Sequence, residues 1–217
     1  MNGLHVDSVT KSFDGKQLLT DVYLGCKKGE IVGLLGRNGS GKSTLLQIIF
    51  GARKADTKFI RIDDKVITGS TKTTNPIKYL PQNHFLPKHL KVSTLIKLFC
   101  TPENGVRIKS HPVINISLHK KPLQLSGGER RLLEVLLLIY SNSEYTLLDE
   151  PFNGIAPVYK DEIKSLLKKQ SREKGFIITD HDYRDILDVA TRIILIHDGA
   201  TKNIKNKDEL IQWGYIP

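Results

Sequence analysis

The chain has 217 residues, 39% hydrophobic and 26% charged, enough for one folded domain with a core of its own. Its cysteines, Cys26 and Cys100, are too few for a disulfide framework and lack metal-ligand spacing, and the longest nearly apolar run, residues 132–140, is interrupted by Glu134 and falls far short of the roughly 18 residues a membrane span needs. The balance of 33 Lys and Arg against 23 Asp and Glu gives a net charge of +10, which fits a nucleic acid, an anionic membrane face, a polyphosphate ligand or a solvated basic surface.

Residues 4–9 alternate apolar and polar, the period-two signal of a strand. No basic segment followed by an apolar one opens the chain, so no signal peptide is expected and a cytoplasmic location is. Asp14-Gly15 marks a turn, 18–24 a second strand and Lys28-Gly29 another turn. The continuous apolar run Ile31-Val32-Gly33-Leu34-Leu35 predicts a strand buried on both faces, leading directly into a glycine-rich loop. Residues 43–50 then supply an apolar helix face. From about 82 to 125 the chain is punctuated by Pro81, Pro87, Pro102, Pro112 and Pro122, with one helical stretch at 92–99, and reads as a small lobe inserted between two halves of a core. Residues 129–140 predict a helix apolar on most sides and therefore buried. A buried strand at 145–148 ends in Asp149-Glu150-Pro151. An amphipathic helix at 158–169, a strand at 176–179, a helix at 183–190 and a strand at 192–197 follow, with a turn at Asp198-Gly199. Lys168-Lys169 and Lys202 to Lys207 are the densest basic places and predict exposed helix or turn faces. Strands alternating with helices predict an α/β fold with a mostly parallel sheet and crossover helices.

Gly36-Arg37-Asn38-Gly39-Ser40-Gly41-Lys42-Ser43 has the spacing of a phosphate loop, in the strand-to-helix context such a loop requires. Its glycines let successive N–H groups turn inward as an anion nest, and the following helix points its positive end at the phosphates. Lys42 reaches the β- and γ-phosphates and Ser43 ligates Mg²⁺. Alone, this loop fits kinases, GTPases, helicases and transport ATPases alike. Leu125-Ser126-Gly127-Gly128-Glu129 places a hydroxyl and bare glycine amides at a helix N-terminus, which suits a phosphate; Ser126 with Glu129 is equally an ordinary capping box. Asp149 and Glu150 end a buried strand, where ligands bind in an open α/β sheet; the alternative is an exposed acidic turn. His181, after a strand, and Phe13, before a turn, have structural readings as well, Phe13 as a core residue.

In this order along the chain, these segments resemble the ATP-binding cassette (ABC) family, from residue 4 to about 210. The resemblance implies a P-loop NTPase-type α/β fold: a mostly parallel sheet with flanking helices, an N-terminal antiparallel β subdomain and a short inserted helical lobe at roughly 83–140, all in a single domain over 1–217. It implies ATP and Mg²⁺ as cofactors. The implied ATP contacts are Phe13 stacked on adenine, Gly36, Arg37, Asn38, Gly39, Ser40, Gly41, Lys42, Ser43 and Thr44, and, from an opposite chain, Ser126, Gly127 and Gly128. Ser43, Gln82 and Asp149 are the implied Mg²⁺ residues. Glu150 is the implied general base, with Gln82 as sensor of Mg²⁺ and the γ-phosphate and His181 as the switch histidine on the γ-phosphate.

In that family the signature serine and glycines lie too far from their own phosphate loop to touch its nucleotide, so two chains face head to tail. The implied partners are a second copy or a paired cassette and a separate transmembrane permease, which places the chain on the inner face of the cell membrane. Nucleic acid is not expected as a partner. The alternative is a soluble ABC ATPase acting on nucleic acid or ribosomes, favoured by the basic charge, but the chain has no heptad run and only one cassette. An ATP-responsive regulatory module is disfavoured by Glu150 and His181, and an ordinary P-loop kinase by the signature. The stretches around 149–155 and 178–181 look most like subunits serving lipopolysaccharide export or branched-chain amino acid uptake. Two departures stand out. Ala156 replaces the aspartate that usually helps couple the two ATP sites, and the inserted lobe, 83–124, is short for the part that meets the membrane partner.

Overall fold

The fold is taken from a computed structural model that describes residues 2–67 and 76–216. Met1 and Pro217, the ends of the expected domain, lie outside the described residues. Asp14 and Gly15 both take positive φ (50° and 76°), the backbone a tight hairpin turn demands, and they join β1 (Leu4–Phe13) to β2 (Lys16–Cys26). On its other edge β1 pairs with β4 (Thr57–Ile62), which pairs with β5 (Lys65–Val66), so a four-stranded antiparallel sheet runs β2-β1-β4-β5.

The second sheet has six strands in the order β10-β9-β3-β8-β7-β6. Its members are β3 (Ile31–Gly36), β6 (Ile77–Leu80), β7 (Tyr145–Asp149), β8 (Gly175–Thr179), β9 (Arg192–His197) and β10 (Ala200–Ile204). All its pairings are parallel except β9 with β10. Every residue of β3, β7 and β8 is buried, which is why their sequences are apolar without alternation. The pleat still divides them between two cores. Val32, Leu34, Leu147 and Ile177 pack with α1 (Lys42–Phe50) and the antiparallel sheet. Leu35, Leu148, Phe176 and Ile178 pack with the helices on the opposite face.

Between β6 and α5 (Gly127–Ile139) lie α2 (Val92–Phe99), α3 (Pro102–Lys109), α4 (Pro112–Asn115) and a 3₁₀ turn at Pro122–Gln124. Residues Arg131 through Ile139 of α5 are all buried, since this helix packs on β6, β7, α2, α4 and α6 (Pro157–Gln170). Two short helices, α7 (Tyr183–Leu187) and α8 (Lys207–Gln212), complete the described elements.

The structure corrects the sequence reading in places. Lys202 lies in strand β10, not on a helix or turn; β10 is an edge strand with Lys202 and Asn203 exposed, and edges tolerate lysine because it discourages further pairing. The helix expected over 183–190 stops at Leu187. Strands β4 to β6 and helices α3, α4 and α8 had no clear period in the sequence. Cys26 and Cys100 are free, and burial pushes their thiols up to about 12 and about 11, which leaves neither as a ready nucleophile.

Candidate active site

Because β3, β8 and β7 are parallel neighbours, their carboxyl ends lie side by side and the segments that follow them converge. Asp149 stands opposite Thr179 in the β7–β8 register, and Leu80 opposite Leu148 in the β6–β7 register. The segments after these strands enclose a cleft of about 390 Å³. Its walls are Leu18, the stretch Asn38, Gly39, Ser40, Gly41, Lys42, Ser43 and Thr44, and the side chains of Gln82, Glu150 and His181.

The phosphate-loop segment is shaped by glycine. Gly41 takes φ 99° at the head of α1, a backbone that L side chains rarely adopt, and a Cβ there would meet Leu19 Cδ2 at 2.7 Å and push that side chain aside. No side chain caps α1, which leaves the first N–H groups of the helix for a ligand. Lys42 Nζ donates to the carbonyls of Gly36 (2.6 Å) and Arg37 (3.1 Å) and so sits inside the curve of the loop. Burial lowers its pKa, while Glu150 and Asp149 oppose that shift and favour the cation.

Asp149 is buried, with both carboxylate oxygens engaged. Oδ1 accepts from Ser43 Oγ and Oδ2 from the Tyr79 hydroxyl, each at 3.0 Å. Burial raises its pKa, and these two donors pull it back. The Ser43 hydroxyl beside the Asp149 carboxylate is a hard-oxygen donor pair of the kind Mg²⁺ takes together with phosphate oxygens. Among the described residues no group of three or more His, Cys, Asp and Glu could hold a metal ion by itself.

Glu150 has a left-handed backbone (φ 54°), uncommon for a residue with a side chain. The surroundings impose it. Glu150 N donates to Thr179 O at 2.8 Å, and the buried Arg131 guanidinium donates to the carbonyls of Pro81, Asp149 and Glu150. Arg131 and Arg130 lie 3.6 Å from the fully buried Glu134, whose carboxylate also meets His84 Nδ1 and accepts from Phe85 N. Burial lowers the Arg131 pKa, chiefly opposed by Glu134. This network ties the segment after β6 to the acidic corner after β7. The Glu150 carboxylate then meets His181 Nε2 at 2.8 Å through Oε1, and accepts from Gln82 Nε2 (3.0 Å) and Asn153 Nδ2 (3.4 Å) through Oε2. Asp180 shapes the turn carrying His181 by accepting from the amides of Phe152 and His181.

Most of the residues singled out from the sequence therefore share one cleft, but not all. Gln82 contacts Glu150 and not the Ser43–Asp149 pair. Gly36 supplies a carbonyl to Lys42 without lining the cleft, and the Arg37 guanidinium turns away to Gly214 O at 2.9 Å. Phe13 is 39% exposed, which removes the core reading. Its ring lies outside the cleft lining, near Lys11 Nζ (5.1 Å) and the Arg53 guanidinium (5.4 Å). Ser126, Gly127 and Gly128 also lie outside that lining, at the head of α5. Ser126 forms the capping box with Glu129, and a Cβ on Gly128 would meet Gly154 O at 2.7 Å. Tyr79, Arg131, Asn153 and Asp180 were given no role from the sequence. Arg131 carried a usable signal: a guanidinium in a helix predicted to be buried needs partners inside the fold.

A family model described as "ABC transporter" matches residues 19–153. The lipopolysaccharide export system ATP-binding protein LptB of Haemophilus influenzae is 35% identical over 214 residues, spanning 92% of this chain and 88% of that protein. The ABC transporter ATP-binding protein YtrB of Bacillus subtilis is 34% identical over 215 residues, covering 95% and 73%. Among solved structures, an ATP-binding subunit of an ABC transporter superposes with TM-score 0.84 at 20% identity over 99% of this chain and 94% of that one. A dimeric ATP-binding cassette bound to ADP and Pi superposes with TM-score 0.78 at 24% identity over 94% and 99%.

Proposed function

The chain belongs to the ABC transporter family as an ATP-binding, ATP-hydrolysing subunit, and from that premise we propose that it works as one of a pair of cassettes closing head to tail around ATP to drive a separate transmembrane permease at the inner face of the cell membrane. The observation that carries the pairing is the division of the site. The cleft holds the phosphate loop, Glu150, Gln82 and His181, while Ser126 and Gly127 stand exposed elsewhere at the head of α5. A phosphate needs donors on every side, and here one side is left for the opposite chain's Ser126, Gly127 and Gly128.

In this reading the loop amides and Lys42 hold the phosphates of ATP, and Phe13 faces the adenine. Ser43 and Asp149 would hold Mg²⁺, which would neutralise phosphate charge there. Glu150 takes the proton from the water that attacks the γ-phosphorus as the bond to the β–γ bridging oxygen breaks. His181 and Gln82, one on each Glu150 oxygen, hold the carboxylate toward the cleft. Loss of the γ-phosphate removes the contacts that join the pair, and the pair opens.

Toward the membrane partner, the segment between β6 and α5 exposes the apolar side chains Leu98, Val106, Ile116 and Leu123, each available to a protein contact. No helix among the described residues is long and apolar enough to cross a membrane. Ala156 heads α6 without a side-chain cap, so it offers no carboxylate to the opposite site.

Ser126→Arg tests the pairing. It should leave ATP binding to the single chain nearly intact and abolish ATP-driven dimers in sedimentation, because the added cation occupies space meant for the opposite γ-phosphate. Normal ATP-dependent dimers in this variant would overturn the assignment. Phe13→Ala should weaken ATP binding by roughly 1–3 kcal/mol, the usual worth of an aromatic against a base, and leave inorganic triphosphate binding almost unchanged. Equal losses for both ligands in titration calorimetry would exclude a base contact.

A further inference from the structure

After α8 the chain turns back toward the phosphate loop. Leu210 and Ile216 are buried, the amides of Tyr215 and Ile216 both donate to Leu210 O, and Gly214 takes φ 62°, so residues 210–216 form a closed turn. This turn grips the first two residues of the phosphate loop. Gly214 O accepts from Arg37 Nη2 at 2.9 Å, and the Gly36 main chain lies against the Tyr215 hydroxyl, where it favours the ionised form. Gly36 and Arg37 are the residues whose carbonyls hold Lys42 Nζ. The Tyr215 ring also packs edge-on against Tyr183, with centroids 6.3 Å apart, at the start of the helix that follows His181. No residue of 213–216 lines the ATP cleft.

We propose that residues 213–216 are a clasp that preorganises the phosphate loop, with Tyr215 as a positioning residue that sets phosphate affinity through Gly36, Arg37 and Lys42 without touching the nucleotide. An anion nest binds well only when its N–H groups and cation are held in place before the ligand arrives, because ordering them on binding costs affinity. The clasp fixes the front of the loop from outside the cleft. It also accounts for Arg37, whose guanidinium serves the turn and not the nucleotide. Through Tyr183 the same tyrosine joins the loop to the segment carrying His181, so both sides of the γ-phosphate position share one support.

This inference rests on the ATP reading of the cleft, and the experiment separates the two. ATP and inorganic tripolyphosphate are titrated, with Mg²⁺, into the unmodified chain, Tyr215→Phe and Arg37→Ala, and thermal unfolding is followed without nucleotide. Tyr215→Phe keeps the ring on Tyr183 and removes only the hydroxyl. The expected result is a loss of about 2- to 10-fold in affinity for both ligands, the size of one hydrogen bond, with the nucleotide-free unfolding midpoint unchanged. Arg37→Ala should give a loss of the same order. Failure of the unmodified chain to bind ATP would overturn the ATP reading itself. Unchanged affinities in Tyr215→Phe would overturn the clasp alone. So would a loss confined to ATP, which would place the effect at the base, or a loss matched by a lowered unfolding midpoint, which would make Tyr215 merely structural.

Discussion

Glu150→Gln is expected to reduce ATP hydrolysis by about 10²–10⁴-fold, the usual worth of a positioned general base, while ATP binding persists. Glutamine keeps the volume and an amide carbonyl that can still accept from Gln82 and Asn153, but it cannot take a proton from water at neutral pH. The left-handed backbone at this position is held by Thr179 O and the Arg131 guanidinium, both acting on main-chain atoms, so the substitution leaves the corner in place. Lys42, Ser43 and Asp149 keep their contacts as well. The variant should therefore accumulate as an ATP-bound dimer in sedimentation. Lost turnover without a dimer at any ATP concentration would trace to Ala156, which provides no carboxylate for the interface, and would mean that the membrane partner holds the pair together. Unchanged turnover would remove Glu150 from the role of base.

Lys42→Ala should lower ATP affinity by about 3 kcal/mol or more, roughly 100-fold, because charge-assisted hydrogen bonds to phosphate are each worth about 1.5–3 kcal/mol. The ammonium sits between the carbonyls of Gly36 and Arg37, already aimed into the loop, so its interaction with phosphate needs little reordering. Its removal also takes a donor from the Gly36 carbonyl, while the Arg37 carbonyl keeps the Ser40 amide. Burial lowers the Lys42 pKa, but Glu150 and Asp149 face it and sustain its charge. Titration with ATP and Mg²⁺ measures the loss, and circular dichroism checks that α1 is retained. Undiminished affinity would place the phosphates somewhere other than this loop.

Much of the site was legible because its chemistry is local. A buried apolar strand, glycines at Gly36, Gly39 and Gly41, and a helix beginning at Lys42 are contiguous in the chain, and each backbone conformation follows from the residue that adopts it. Asp149 and Glu150 were equally plain, since paired carboxylates ending a buried strand need a partner. The segment between β6 and α5 was legible only as a proline-marked insertion. Helices α3 and α4 are short, and α3 is polar, so their start signals, Pro102 and Pro112, read equally well as loop prolines. Strand β5 is only two exposed residues, and β4 is exposed over Thr57-Lys58-Phe59 and alternates only over Ile60-Arg61-Ile62, too short a run to read as a strand.

What the sequence determined by itself, then, is the set of parts: the strand–loop–helix of the phosphate site, the acidic strand end, the capped head of α5 and an α/β layering. These depend on neighbours a few residues apart, where backbone sterics and hydrophobic period act directly. Only the tertiary structure decided which atom each group reaches. Gln82 meets Glu150 and not Asp149, Tyr79 takes the second Asp149 oxygen, Arg131 braces the corner, and Arg37 turns to Gly214. Those choices follow from strand order, because placing β3, β8 and β7 side by side sets which loop ends adjoin. The partners lie tens of residues apart in the chain, and no local propensity encodes a direction across that distance.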